Sequence, residues 1–196
     1  MSARLPLLGA VLAGGAGRRF GGDKARAVVD GDTLVGRAAS TLGEVFGAVV
    51  VVGPAEADGR WPTIPDLRPA VGPLGGIETA LTAAAQRGFA GAFVLACDLP
   101  LVSQDTVRSV SRKLVGVPMA APARPGSPPI EPLCAAYAGD CLSVASELLD
   151  RGERAAHALY GVLGGAVVEV PADEFLNVNT LDDAHRAESL LGERRR

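Results

Sequence analysis

Lysine is nearly absent from this chain. Of 19 cationic residues only Lys24 and Lys113 are lysines, so arginine is written almost wherever positive charge is needed. A lysine kept inside a glycine-rich loop, as Lys24 is, therefore calls for a role there. Asparagine is as scarce: its two copies, Asn177 and Asn179, stand in a single N-V-N triplet. Cysteine is limited to Cys97, Cys134 and Cys141, odd in number and without C-x-x-C spacing, which excludes a disulfide framework or a zinc site and leaves three reduced thiols as the expectation. A basic excess is missing too. The formal net charge of −3 excludes a general nucleic-acid surface, and the arginines at 194–196 read as a solvated end. No apolar run approaches the roughly 18 residues needed to span a bilayer. The opening Met-Ser-Ala-Arg-Leu-Pro is not a cleavable signal, so the expectation is a cytoplasmic protein with no membrane and no nucleic-acid partner. His157 and His185 have no partner at ligand spacing and read as surface residues, and no Ser-His-Asp or Cys-His nucleophile pattern occurs.

What remains is ordinary globular composition, 48% hydrophobic and 21% charged over 196 residues, which predicts one domain, 1–196, with a sizeable core. Short continuous apolar runs predict buried strands at Leu7–Leu12, Ala48–Val52, Ala92–Cys97 and Val117–Ala121. Helical spacing fills the intervals at Thr33–Glu44, Gly76–Arg87 and Ser103–Leu114, with Asp32 and Ser103 available as N-caps. This β-α-β-α-β order predicts an α/β fold with a mostly parallel central sheet covered by helices. The proline-rich stretch 122–132 is a loop or extended excursion. Beyond it the pattern predicts a strand at Leu133–Tyr137, helices at Asp140–Leu149 and Glu153–Tyr160, a strand at Ala166–Val170, a short strand at Phe175–Asn179 and a terminal helix at Leu181–Leu191.

In an open parallel α/β sheet, ligands bind outside the carboxyl ends of the strands. Three features fall there. The stretch "LAGGAGRRFGGDK", Leu12–Lys24, follows the first strand but fits neither G-x-x-x-x-G-K-[ST] nor G-x-G-x-x-G. Gly14, Gly15 and Gly17 let the backbone bend and offer N–H groups to phosphate oxygens, while Arg18, Arg19 and Lys24 add charge. With no Ser or Thr after Lys24 to ligate a cation, the metal must be held elsewhere. Asp98 ends a hydrophobic strand and is followed closely by Pro100, so one carboxylate plus substrate phosphates is a sufficient Mg²⁺ site. In "FLNVNT" a period of two puts Asn177 and Asn179 on one face and Val178 on the other. Two amides side by side can grip a donor-and-acceptor edge or support a metal-phosphate network, a pair of strand-end Asx turns being the bland alternative. In "IPDLRPAVGPLGGIETAL", Gly72, Gly75 and Gly76 precede a helix with Asp66 upstream, a place where backbone groups could line a base pocket or simply form a helix entry.

Together "LAGGAGRRFGGDK", "GPLGGI", "ACDLP" and "FLNVNT" closely resemble, in order and over residues 8–185, the MobA-like nucleotidyltransferases, the molybdenum cofactor guanylyltransferases. The resemblance implies a three-layer Rossmann-like nucleotidyltransferase fold, with a nucleotide-binding N-terminal half and an acceptor-binding C-terminal half. It implies an enzyme that binds GTP and Mg²⁺, transfers GMP to molybdopterin and releases pyrophosphate, with cofactor-receiving molybdoenzymes as further partners. Position by position, Leu12, Ala13, Gly14 and Lys24 match the family's nucleotide loop, Asp66 its nucleotide-contacting Asp, and Asp98 its magnesium and nucleotide ligand. Residues 152–157, "GERAAH", with Asn177 and Asn179, fall where the family recognises the pterin or orients the reacting phosphate. Three departures stand out: Phe20 replaces the usual Met, Glu131 begins an "EPL" in place of the frequent "HPL", and Gly53-Pro54 replaces the family's Asn after the second strand. Cytidylyl transfer, a sugar-phosphate acceptor and a non-catalytic nucleotide-binding regulator are the alternatives. The expected chemistry is in-line attack of an acceptor phosphate oxygen on the α-phosphorus, with Asp98 holding Mg²⁺ and Lys24 and Arg19 stabilising pyrophosphate.

Overall fold

Six consecutive apolar residues, Leu7–Leu12, form β1, and all six are buried. A strand with no solvent face belongs in the middle of a helix-covered sheet. The computed structural model, which describes residues 6–14, 27–54, 59–124 and 130–194, puts it there. The chain continues through β2 (Val28–Val29), β3 (Asp32–Thr33), α1 (Leu34–Gly43), β4 (Val49–Val52), β5 (Thr63–Ile64), α2 (Pro73–Gln86), β6 (Gly91–Ala96) and α3 (Gln104–Arg112). It then runs through β7 (Met119–Pro122), β8 (Cys134–Ala138), α4 (Cys141–Asp150), α5 (His157–Leu163), β9 (Ala166–Val168), a 3₁₀ turn (Ala172–Phe175) and α6 (Leu181–Arg194).

Seven strands make one sheet in the order β5-β4-β1-β6-β8-β7-β9. Every pairing is parallel except those of β8 with β6 and β7. The mostly parallel sheet is as expected. Side chains of β1 alternate between two cores: Leu7 and Val11 pack with α1, α3 and α6, and Leu8, Ala10 and Leu12 with α2, α4 and α5. This is a three-layer α/β/α arrangement.

β1 lies between β4 and β6, so successive crossovers leave it in opposite directions and open a crevice at its carboxyl end. Leu12 is in register with both Val52 and Ala96, so the three loops that follow start level. Two backbone bonds extend the register one step: Ala13 N donates to Val52 O at 2.9 Å and Cys97 N to Leu12 O at 3.1 Å.

Four local expectations are corrected. The N-cap of α1 is Thr33, whose hydroxyl accepts from Gly36 N at 2.9 Å, because Asp32 Oδ1 is taken by the Thr33 amide and Arg60. Asp30 and Gly31, with φ of 55° and 80°, form a two-residue hairpin turn between β2 and β3, a pair absent from the predicted elements. The helix expected from Glu153 starts at His157, because Glu153 Oε1 accepts the Arg154 and Ala155 amides at 2.7 and 2.9 Å, a pattern that competes with helix. The strand expected at Phe175–Asn179 is a 3₁₀ turn ending at Phe175, followed by unladdered chain. There Val178 N is committed to Asp98 O and Asn179 N to the Asp183 carboxylate, which removes the donors a ladder would need.

Candidate active site at the carboxyl end of the sheet

One wall of the crevice is built around Asp98, two residues past the end of β6. Its carbonyl accepts from Val178 N at 2.9 Å, which places Asn177 and Asn179 on either side of the residue joined to Asp98. Val178 is fully buried with Phe175 in the core beneath, whereas Asn177 is half-buried and Asn179 exposed. The inward Val and outward amides thus follow the predicted alternation without a strand. Asn177 Oδ1 is buried and has no hydrogen-bond partner among the described residues, a state that costs free energy until something donates to it or coordinates it.

The same segment closes the far end of the Asp98 loop. Buried Glu174 accepts the Ser103 amide at 2.9 Å through Oε2, while the Ser103 hydroxyl caps α3 by accepting from Thr106 N at 3.2 Å. After the asparagines, Thr180 and Asp183 form a capping box. Asp183 Oδ2 accepts the Thr180 amide at 2.8 Å and also the Asn179 amide, and the Thr180 hydroxyl accepts the Asp183 amide at 3.1 Å. The Thr180 hydroxyl, first, and the Asn179 amide hold the Asp183 carboxyl below the usual carboxylate range.

The opposite wall is built around Asp66, two residues past β5. A Cβ on Gly14 would lie 3.6 Å from Asp66 Oδ2, so this carboxylate sits against the start of the glycine loop. Partial burial raises the Asp66 carboxyl above its ordinary value. Gly53 has φ of +148°, and a Cβ there would lie 3.3 Å from Ala13 C and Gly14 N. The position where the family carries Asn is thus filled by the loop's own backbone.

The glycines of "GPLGG" serve close packing. At Gly72, with φ of +79°, a Cβ would be 3.0 Å from Arg154 O, the carbonyl that accepts Leu74 N at 3.2 Å. At Gly75 it would be 2.4 Å from Val71 Cγ2, and at Gly76 3.0 Å from Leu12 Cδ1. The N-terminus of α2 therefore gathers the Asp66 loop, the end of β1 and residues 152–157 into one place.

Leu12, Ala13, Gly14, Asp66, Gly72, Asp98, Asn177 and Asn179 all sit at this end of the sheet or in segments bonded to it. Gly15, Gly17, Arg19 and Lys24 lie outside the described residues. Glu131 is buried in an ion pair with Arg124 and accepts Leu133 N at 3.2 Å, so its carboxylate holds a turn. His157 and His185 are exposed, and the three cysteines are buried thiols. Burial pushes the Cys134 thiol well up, which suits an inert core group. Residues that sequence reading passed over include Glu174, which ties the Asp98 loop shut, and Arg68, which spans two helices; only the T-x-x-D at 180–183 carried a local signal.

Among the described residues no three His, Cys, Asp or Glu side chains cluster as a ready-made metal cage, and no helix is long and apolar enough to cross a membrane. A hard cation taking one carboxylate here would draw its other oxygens from substrate and water.

Comparison with known proteins agrees with this layout. Residues 9–165 match the model of the MobA-like NTP transferase domain. A probable molybdenum cofactor guanylyltransferase of Pelotomaculum thermopropionicum is 36% identical over 148 residues, covering 74% of this chain and 70% of that protein. The molybdenum cofactor guanylyltransferase of Desulfosudis oleivorans is 31% identical, covering 93% of this chain and 95% of its own. Among solved structures, molybdopterin-guanine dinucleotide biosynthesis protein A from Archaeoglobus fulgidus superposes with a TM-score of 0.74 at 26% identity, covering 95% and 100% of the two chains.

Proposed function

We propose that this chain, which belongs to the MobA-like NTP transferase family, transfers GMP from GTP to the terminal phosphate of molybdopterin and releases pyrophosphate. The observation that carries the reading is that four separate segments pair off at the carboxyl end of the sheet: Asp66 against Gly14, and Asp98 bonded through its carbonyl to the residue between the two asparagines. The whole of residues 1–196 acts as one domain in this reading, with the nucleotide on the side of Gly14 and Asp66 and the acceptor on the side of residues 152–157.

The nucleophile is already an anion and pyrophosphate is a good leaving group, so positioning and charge neutralisation supply most of the rate. Leu12 and Ala13, tied to the sheet, set where the loop begins, and Gly14, Gly15 and Gly17 offer backbone N–H groups to the triphosphate, while Lys24 and Arg19 take up charge on the departing pyrophosphate. Asp66 and the exposed backbone at Gly72 face the nucleoside, the carboxylate accepting from guanine N–H donors. Asp98 would hold a divalent cation whose other oxygens come from substrate and water; Mg²⁺ fits such a single-carboxylate site, and Asn177 Oδ1, buried and without a hydrogen-bond partner among the described residues, lies in the segment bonded to Asp98. When bound, Mg²⁺ neutralises charge on the transferring phosphoryl group. Asn177 and Asn179 orient the acceptor phosphate. The product passes to enzymes that use the cofactor, and the setting is the cytoplasm.

Incubation with molybdopterin, Mg²⁺ and each of GTP, CTP, ATP and UTP, followed by product mass, tests the reading; the expected product is the GMP adduct. Gly53 favours one second reading, since the loop's own backbone takes the space where the resemblance would have an Asn side chain. A CMP adduct in place of GMP would move the base assignment and keep the reaction. Nucleotide binding without pyrophosphate release would leave a regulator instead.

A further inference from the structure

Arg68 stands two residues after Asp66 and extends in two directions. Its Nε lies 3.0 Å from Glu78 Oε2 on α2, and its Nη1 donates to Asp150 Oδ1 at 2.6 Å at the end of α4. Glu78 is a carboxylate on a buried helix face, 4% exposed, and its other oxygen accepts from the Ser146 hydroxyl of α4 at 2.8 Å. A carboxylate removed from water to that degree requires a charged partner, and Arg68 supplies it.

The Asp66 loop needs such an anchor. Ala70 has φ of 62°, a left-handed conformation that a residue with a Cβ adopts only when its surroundings impose it. The loop's other fixings are the Leu67 amide on Thr79 Oγ1 at 3.1 Å and Val71 lying against Gly75. All of these lie on α2. Among the described residues of this loop, Arg68 is the one bonded past α2 to α4, whose last residue, Asp150, precedes residues 152–157. That segment returns to α2 through Arg154 O, which accepts Leu74 N at 3.2 Å. Arg68 therefore closes a ring: Asp66 loop, α2, residues 152–157, the end of α4, and back to the Asp66 loop.

We propose that Arg68 is a positioning residue that sets Asp66 through Glu78 and, through Asp150, couples that setting to the 152–157 segment. The inference rests on the reading of Asp66 as a nucleotide contact and of residues 152–157 as acceptor contacts. Arg68 touches neither substrate in this account. A lysine could satisfy Glu78, but its point charge has no fork with which to hold Asp150 as well.

The test measures equilibrium binding of GTP with Mg²⁺, the KM of each substrate, kcat and thermal unfolding for Arg68→Ala, Arg68→Lys, Glu78→Gln, Asp150→Ala and, as control, Asp66→Asn. Arg68→Ala is expected to weaken GTP binding about tenfold, through KM more than through kcat. Glu78→Gln keeps the volume and the Ser146 hydrogen bond, so it should fold as the native chain does and weaken GTP binding in the same direction, severalfold. Asp150→Ala, on an exposed partner, should leave GTP binding alone unchanged and raise only the acceptor KM, and Arg68→Lys should share that phenotype. If Asp66→Asn weakens GTP binding while Arg68→Ala and Glu78→Gln bind it as the native chain does, the positioning role is overturned and the site reading stands. If Asp66→Asn itself binds GTP normally, the site reading falls and the inference falls with it. If Arg68→Ala unfolds, Glu78→Gln decides: native GTP binding in that variant overturns the proposal.

Discussion

The Asp98 wall is held by main-chain bonds and caps, with Val178 N on Asp98 O, Glu174 on Ser103 N and the Thr180–Asp183 box in sequence along one segment. The Asp66 wall is held by close contacts at glycine and by ion pairs that cross between helices. The Val178–Asp98 bond is main chain to main chain and depends little on side-chain identity and on salt, so substitution at position 98 leaves the backbone of this wall held, while the Glu174 and Thr180–Asp183 contacts depend on their side chains. Ion pairs and bare glycines depend on side chains at every point, so under the proposed function the Asp66 wall is where base and acceptor preference would shift without loss of the chemistry.

The comparison is tested first at Asp98. Asp98→Ala keeps the carbonyl that Val178 holds, so the fold should persist while kcat falls by about 10²- to 10³-fold or more; pyrophosphate release and a thermal melt measure the two parts. Glu174→Ala breaks the same wall structurally. It strands the Ser103 amide and should cost about 1–3 kcal/mol, read by denaturant unfolding. On the other wall, Gly72→Ala puts a Cβ at positive φ against Arg154 O. It should cost about 1–2 kcal/mol and raise the KM of both the acceptor and GTP.

The smallest effect is electrostatic. Burial raises the Asp66 carboxyl, so the folded state holds its proton more tightly than the unfolded chain does. The resulting stability is present below the unfolded value near 3.8 and is lost as pH rises through the folded one. Asp66→Asn should therefore raise the melting temperature slightly at neutral pH. If, as proposed, guanine is held by the ionised form, native GTP binding should weaken on acidification from a higher pH than an unperturbed aspartate would give, and the variant should lack that limb. A pH series of binding titrations checks both.

How far these walls could be read in advance differs by residue. Leu7–Leu12 is legible to its ends because an unbroken apolar run between Pro6 and glycine leaves no other period. Asp98 is legible because it interrupts such a run. The asparagine triplet is found by rarity, but its backbone is not legible in the sequence: a period of two describes alternating burial, and the bonds of Val178 N to Asp98 and Asn179 N to Asp183 decide that no ladder forms. The Asp30–Gly31 turn did carry a local signal, since D-G between apolar residues favours a two-residue hairpin. Arg68 carried none. Its partners lie 10 and 82 residues away, and nothing in a local pattern marks one arginine among many as the one that meets a buried carboxylate.

The level ends of β1, β4 and β6 have a consequence for how such a domain diversifies. Because Leu12, Val52 and Ala96 stop at one height, the loops after them are three inserts plugged into a common socket, each replaceable while the strands beneath stay in register. An exchange of the segment after β5 for one from a relative with another base preference would bring new residues at positions 68 and 72 but not their partners Glu78, Asp150 and Arg154, which would have to be exchanged with it. It would leave the β6 insert, and the cation chemistry assigned to it, untouched.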